Sequence, residues 1–244
     1  MNVADSLTMN MFTYQEPEQM IKECLMAYFQ SIRKYPQIPF YLIDNFPGWE
    51  FSNNIKFVIK EFPQVKMINN ILNQGQARNW NQITRLAIMD KKEFCGVIAP
   101  DTIVHEGWVE KINENINKYD LFHHLNFSVW KVNTIRKLKW FDERCVSGGS
   151  EDLDMYFRFE EAGIPYSRTL LSEFEKRGDS NQYRNTNEHV EQFYRDTEYW
   201  LAKWRKDKSS FPKVMDIWDK KELRRRNWED IDWYPKVLDR DIQK

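Results

Sequence analysis

The segment Gly148-Gly149-Ser150-Glu151-Asp152-Leu153-Asp154 concentrates the strongest chemical signal in the 244-residue chain. Two glycines allow a tight turn and a close approach of the backbone to a ligand. Three carboxylates then crowd what should be the first turn of a helix. One reading is electrostatic housekeeping, since acids near a helix N-terminus complement its dipole. The other is catalytic: a carboxylate held within hydrogen-bond reach of a hydroxyl can remove its proton. Clustered acids repel, and that raises the proton affinity of one of them. Residue types alone leave both readings open.

The elements that would position these acids alternate along the first two-thirds of the chain. Leu7 to Tyr14 and Val65 to Ile68 read as short strands, and Pro39 to Ile43 and Phe94 to Ala99 are short apolar runs that predict strands too. Between them, Met20, Ile21, Cys24, Leu25, Tyr28 and Ile32 recur at helical spacing. Ser52 is placed to cap a helix running to Phe62, and Gly75 to Met89 carries an apolar helical face. This β-α order predicts parallel strands joined by right-handed crossovers. Gly107 to Ile116 reads as a helix, Leu121 to Val132 as one long aromatic strand that breaks the parallel rule, and Glu151 to Ala162 as a helix closed by Gly163. Ile164 to Leu170 reads as a strand and Asn187 to Lys206 as an aromatic-rich helix. One α/β domain over residues 1–206, followed by a C-terminal extension over 207–244, is the simplest organisation.

In open α/β sheets, ligands bind beyond the carboxyl ends of the strands. Thr13 and Tyr14 follow the first strand, Asp44 and Asn45 the second, Asn73, Gly75, Arg78 and Asn79 the third, and Asp101 the fourth. Together they would suit a sugar nucleotide: amides and a carboxylate for base and ribose, an arginine for diphosphate, a carboxylate for a divalent cation. Singly, each has a plainer explanation. Asp44 fits a turn after a strand, Asn73-x-Gly75 fits a helix entry, and Asp101 fits a loop.

Composition narrows the class. Thirty-six Lys and Arg against 37 Asp and Glu leave a net charge of -1, which excludes a globally basic nucleic-acid binder. Hydrophobic residues at 41%, with 15% aromatic, support a packed core. No apolar run approaches the roughly 18–20 residues that a membrane span needs. Cys24, Cys95 and Cys145 are too few and scattered for a disulfide framework or a zinc site, so a cytoplasmic, reducing setting is expected.

In their order, these motifs resemble the GT-A glycosyltransferases, most closely the family 2-like branch with its short viral and bacterial members. The resemblance runs over roughly residues 7–185. It is carried by Phe12-Thr13-Tyr14; Tyr41-Leu42-Ile43-Asp44-Asn45; Asn73-Gln74-Gly75-Gln76-Ala77-Arg78-Asn79; Gly96-Val97-Ile98-Ala99-Pro100-Asp101 with Gly107-Trp108; and Trp140-Phe141-Asp142-Glu143 leading to the acidic segment and Arg158. It implies a Rossmann-like, mainly parallel mixed sheet flanked by helices, with a helical C-terminal extension. It implies transfer of a sugar from a nucleotide-sugar, UDP-linked, to an acceptor hydroxyl with inversion. Asp152 would be the general base and Glu151 would orient the acceptor. Thr13, Tyr14 and Asp44 would hold uracil or ribose, Asn73, Gly75, Arg78 and Asn79 would line the nucleotide-sugar site, and Asp101 would bind Mn2+ or Mg2+ at the diphosphate.

Two departures stand out. Ala99 replaces the first acid of the Asp-x-Asp motif. Lys176 stands near the place of a metal-binding histidine, where an ammonium could itself stabilise the leaving diphosphate; Glu175 or His189 could instead complete the metal shell. The damaged motif also admits a non-catalytic nucleotide-sugar-binding module. The acceptor is open among glycan, lipid, protein and a hydroxylated base in DNA, the last motivated by basic and aromatic residues interleaved over Lys220 to Trp228. His123 and His124 are expected to be packed or surface histidines, and Trp108, Trp130 and Trp140 to be core residues before they are stacking platforms.

Overall fold

A computed structural model of the chain describes residues 2–46, 48–124, 126–146, 151–176 and 187–204, with the side chains of 187–190 and 201–202 left aside. The expected C-terminal extension, the Gly148-Gly149-Ser150 turn and the side chain of His189 therefore lie outside the described residues.

Strand β1 (Leu7–Thr13), helix α1 (Glu18–Ser31), β2 (Phe40–Asp44), α2 (Lys56–Glu61), β3 (Val65–Asn69), α3 (Gln76–Met89) and β4 (Phe94–Ile98) follow the predicted alternation. Their strands pair in parallel in the order β3-β2-β1-β4. The chain moves outward from β1 to β3 and then returns to the other side of β1. This reversal of direction opens a crevice above the carboxyl ends of β1 and β4.

Strand side chains alternate between two apolar layers, as the two-residue period of a pleated strand requires. Phe40, Leu42, Phe94 and Ile98 face a core built with α1, α2 and α4 (Trp108–Asn115). Tyr41, Ile43, Cys95 and Val97 face a second core built with α3, α5 (Val132–Lys137), α6 (Glu151–Glu161) and α7 (Asn187–Lys203). Burial on both faces explains the unbroken apolar runs of β2 and β4. Trp108 and Trp130 are fully buried, in the first and second core respectively. The three cysteines are buried and free. Among the described residues no helix is long and apolar enough to cross a membrane.

Four expectations change. The run from Leu121 is a hairpin rather than one strand: β6 (Leu121–His124) pairs antiparallel with β7 (Phe127–Lys131), and β7 pairs antiparallel with β4. The sheet thus continues β4-β7-β6-β8, with β8 (Tyr166–Ser167) reduced to two residues of the expected Ile164–Leu170 strand. A small second sheet pairs β5 (Thr102–Val104) with β9 (Phe174–Lys176), which the sequence pattern did not reveal. Ser52 precedes a short 3-10 turn, Asn53–Ile55, and its side chain makes no capping bond.

Candidate active site

The carboxyl ends of the strands carry a continuous set of polar loops. Asp44 is fully buried at the end of β2, and its carboxylate accepts the backbone N–H of Phe46 at 3.1 Å and of Ser52 at 2.6 Å. It therefore folds the loop that follows β2. That loop and Tyr14 line a cavity of about 480 Å³, with Phe46, Trp49, Phe51 and Asn54 in its wall. Tyr14 and Phe46 are 5.9 Å apart between ring centroids. Trp49 is 84% exposed, the most exposed large apolar side chain described. The mouth of an aromatic cavity is the natural place for such a residue. Beneath it, Glu16 is buried and accepts the Tyr14 N–H at 2.6 Å. The Thr13 carbonyl accepts the Asn45 N–H at 2.8 Å, which joins the ends of β1 and β2.

The amides beyond β3 form a network of their own. Asn70 donates to Asn45 Oδ1 at 2.9 Å and to Gln82 Oε1 at 3.0 Å, and reaches Asn79 Oδ1 at 3.3 Å. Asn73 Oδ1 accepts the Gly75 N–H at 3.0 Å. Gly75 has φ +73, and a Cβ there would lie 2.5 Å from the Val146 carbonyl oxygen. The glycine is thus required by the backbone of residue 146, five residues before the acidic helix begins at Glu151. Arg78 is half exposed and pairs with Glu143 at 3.2 Å.

Asp101 sits in the turn from β4 to β5 and is only 2% exposed. Asn126, in the β6–β7 reversal, donates to Asp101 Oδ1 at 3.4 Å. Lys176 lies opposite Thr102 across the small sheet, and its Nζ is 3.8 Å from Asp101 Oδ2. Among the described residues no three His, Cys, Asp or Glu side chains cluster as a metal site. What is present fits a cation held by one carboxylate, with the remaining shell supplied by phosphate oxygens and water, as Mg2+ commonly accepts.

Near the same turn of the hairpin lies Asp152. Its Oδ1 accepts the Leu153 N–H at 2.7 Å, and its Oδ2 is 3.9 Å from His123 Nε2. Its side chain is 24% exposed, and burial pushes its carboxyl up to about 6, against the smaller opposing pull of the Leu153 N–H and the Arg168 guanidinium. Asn126 touching Asp101 and His123 facing Asp152 bring the two candidate acids to one end of the sheet. The other acids of the motif differ in setting. Glu151 is buried. Asp154 is fully buried and bound by Arg158, Lys203 and Trp204 at 2.5, 2.5 and 2.8 Å. Of the three carboxylates, Asp154 locks the helix, and Asp152 combines partial exposure with raised proton affinity.

Sequence reasoning overlooked a buried ionic knot. Asp142 accepts from Arg144 at 2.8 Å, Tyr199 at 2.6 Å and Lys203 at 2.7 Å. Burial raises its proton affinity, but Arg144, Lys203 and Tyr199 outweigh this and hold the carboxyl well below the usual range. The knot ties α7 to the segment that leads into α6. Asp142 lies within a recognised motif, but only the fold brings Tyr199 and Lys203 to it.

A sheet wound in this order, with a nucleotide-sized aromatic cavity and two acids at its carboxyl end, defines the GT-A class of glycosyltransferase fold. The family model described as glycosyl transferase family 2 matches residues 10–153, and the chain belongs to that family. No curated protein matches the sequence. Among solved structures, it is similar to GalNAc-T7 with UDP, GalNAc and Mn2+, at 10% identity and a TM-score of 0.64, covering 82% of this chain and 50% of that one. It is also similar to the mannosyltransferase PcManGT from Pyrobaculum calidifontis in complex with GDP-Man and Mn2+, at 13% identity and a TM-score of 0.59, covering 83% of this chain and 64% of that one. The chain thus spans about half to two-thirds of the length of these neighbours.

Proposed function

We propose that the chain transfers a sugar from a nucleoside diphosphate sugar to an acceptor hydroxyl, with inversion at the anomeric carbon and Asp152 as general base. The observation that carries this reading is the β6–β7 hairpin, which contacts Asp101 through Asn126 and Asp152 through His123. In the reaction, Asp152 takes the acceptor's proton as the acceptor oxygen bonds to the anomeric carbon. The anomeric bond to the diphosphate breaks, and its electron pair leaves with the nucleotide. Tyr14 and the Phe46–Trp49 wall of the cavity take the base, a uracil in our reading; the backbone around Thr13 and Asp44 takes the ribose. Arg78, Lys176 and the amides Asn73 and Asn79 lie toward the phosphates and sugar, and Glu151 orients the acceptor. Asp101 would hold Mn2+ or Mg2+, which when bound neutralises charge on the departing diphosphate. The Mn2+ of both structural neighbours, with UDP and GalNAc in one and GDP-Man in the other, supports this assignment.

The test is turnover of UDP-glucose, UDP-galactose, UDP-N-acetylglucosamine, UDP-N-acetylgalactosamine and GDP-mannose, read as nucleotide release with Mn2+ present. Asp152→Asn should lower release by about 10²–10⁴-fold, the usual contribution of a general base, and an undiminished rate would remove Asp152 from that role. Ala99 supports a second reading, a binding module without chemistry: nucleotide-sugar binding by calorimetry, without turnover on any acceptor, would establish it.

A further inference from the structure

We propose that His123 is a positioning residue for Asp152: braced at Nδ1 by Ser128, it presents Nε2 to Asp152 Oδ2 and holds that carboxylate toward the acceptor hydroxyl. The proposal rests on Asp152 being the base. His123 and Ser128 are directly opposite across the β6–β7 ladder, and Ser128 Oγ is 2.6 Å from His123 Nδ1. The ring is almost fully buried, so its orientation is set by this contact and by packing edge-on against Tyr156, 5.3 Å between centroids. With the serine hydroxyl donating to Nδ1, the proton of a neutral ring resides on Nε2 and faces the carboxylate.

The groups around the ring decide its charge. Asp152 and Tyr156 face it from α6, Ser128 from β7, and His124 adjoins it on β6. Arg168, beyond β8, stacks its guanidinium 4.6 Å from the Tyr156 ring centroid. Burial first, then Arg168 and His124, push the His123 imidazole down to about 3. The ring is therefore neutral at physiological pH. This matters for the base, because an imidazolium beside Asp152 would stabilise its carboxylate and weaken it as a proton acceptor. A neutral N–H donor orients the carboxylate at far smaller cost in basicity. The 3.9 Å separation exceeds a direct hydrogen bond. Catalytic contacts in unliganded sites are often long and tighten when substrate binds.

The experiment follows the Asp152 carboxyl by ¹³C NMR in aspartate-labelled protein, its signal assigned by its loss in Asp152→Asn. His123→Phe keeps a planar ring and removes the donor. The Asp152 titration midpoint should rise by about half a pH unit or more in that variant, return close to its original value in His123→Gln, which restores an N–H, and rise less in Ser128→Ala. In nucleotide release from the donor panel, His123→Phe should lower kcat by about tenfold or more with donor KM unchanged, and its acid limb should move with the midpoint. An unmoved midpoint in His123→Phe overturns the proposal. Should that variant not fold, Ser128→Ala with an unmoved midpoint does the same. Undiminished turnover in Asp152→Asn overturns the base assignment, and the positioning role with it. Lost turnover in Asp152→Asn beside unchanged midpoint and kcat in His123→Phe overturns the positioning role alone.

Discussion

Asp152 and His123 titrate in opposite senses, and stability should register the pair. The Asp152 carboxyl is raised from 3.8 to about 6, so between those values the folded state holds a proton that the unfolded chain has released. That contribution is present below pH 3.8 and is lost as pH rises through 6. The His123 imidazole is lowered from 6.5 to about 3, so the unfolded chain holds the extra proton. That contribution is present above 6.5 and is lost as pH falls toward 3. Between pH 4 and 6 the two slopes oppose each other and nearly cancel. Substitution separates them. Relative to the parent chain, His123→Phe should gain stability as pH falls from 6 to 4, and Asp152→Asn should lose it. Each change approaches about 1.4 kcal/mol per pH unit at most, set by one proton. Denaturant melts of the three proteins across that window measure the differences directly. Parallel pH dependences would mean that neither group is perturbed as described. With Asp152 as the proposed base, nucleotide release should rise with pH through about 6 and level off as the base form fills.

Among the elements, α7 is the one whose docking rests most visibly on charge. Asp142 joins Arg144, Tyr199 and Lys203, while Lys203 also bonds Asp154 on α6. Removing one member of such a buried set leaves the others unpaired. Asp142→Ala should therefore cost about 3–5 kcal/mol, read as a lower denaturant midpoint with unchanged slope. A loss below 1 kcal/mol would show that apolar packing of Trp200 and its neighbours holds α7 by itself. The small sheet has its own consequence. It carries Lys176 to within 3.8 Å of Asp101, where an ammonium would oppose the proposed dication. Lys176→Ala should tighten Mn2+ binding by about tenfold, the scale of one like charge near a surface. Stripping metal with a chelator should then weaken donor binding more in that variant than in the parent. The sequence disclosed the elements whose apolar patterns are long. β1, β2, β3 and β4 are five to seven residues each, and β2 and β4 are buried along their whole length, so short apolar-rich segments gave the four away. β5 and β9, at three residues each, are too short for any period to emerge. The reversal between His124 and Phe127 carries neither glycine nor proline, so the hairpin reads as one strand. For the same reason His123 looked like ordinary core: only the hairpin turns its ring toward Ser128 and Asp152.

For the whole molecule, nucleotide binding should appear as stability, because a ligand held only by the folded state shifts unfolding by mass action. At free nucleotide about 100-fold above Kd the shift is about 2.7 kcal/mol, and for a chain of this length that raises Tm by roughly 5–10 °C. The cavity beyond β1 and β2 predicts which residue controls the effect. Trp49 lines it while 84% exposed, so its ring contributes little to the unliganded fold. Trp49→Ala should leave the unliganded Tm within about 2 °C, as exposed substitutions do, yet lose much of the nucleotide-induced rise. Asp44→Ala should differ, since Asp44 folds the loop through Phe46 and Ser52: it should lower both the unliganded Tm and the rise. Running UDP and GDP side by side identifies the base, because the same cavity wall must discriminate between a small pyrimidine and a larger purine. A full nucleotide-induced rise in Trp49→Ala would place the base elsewhere on the sheet's rim.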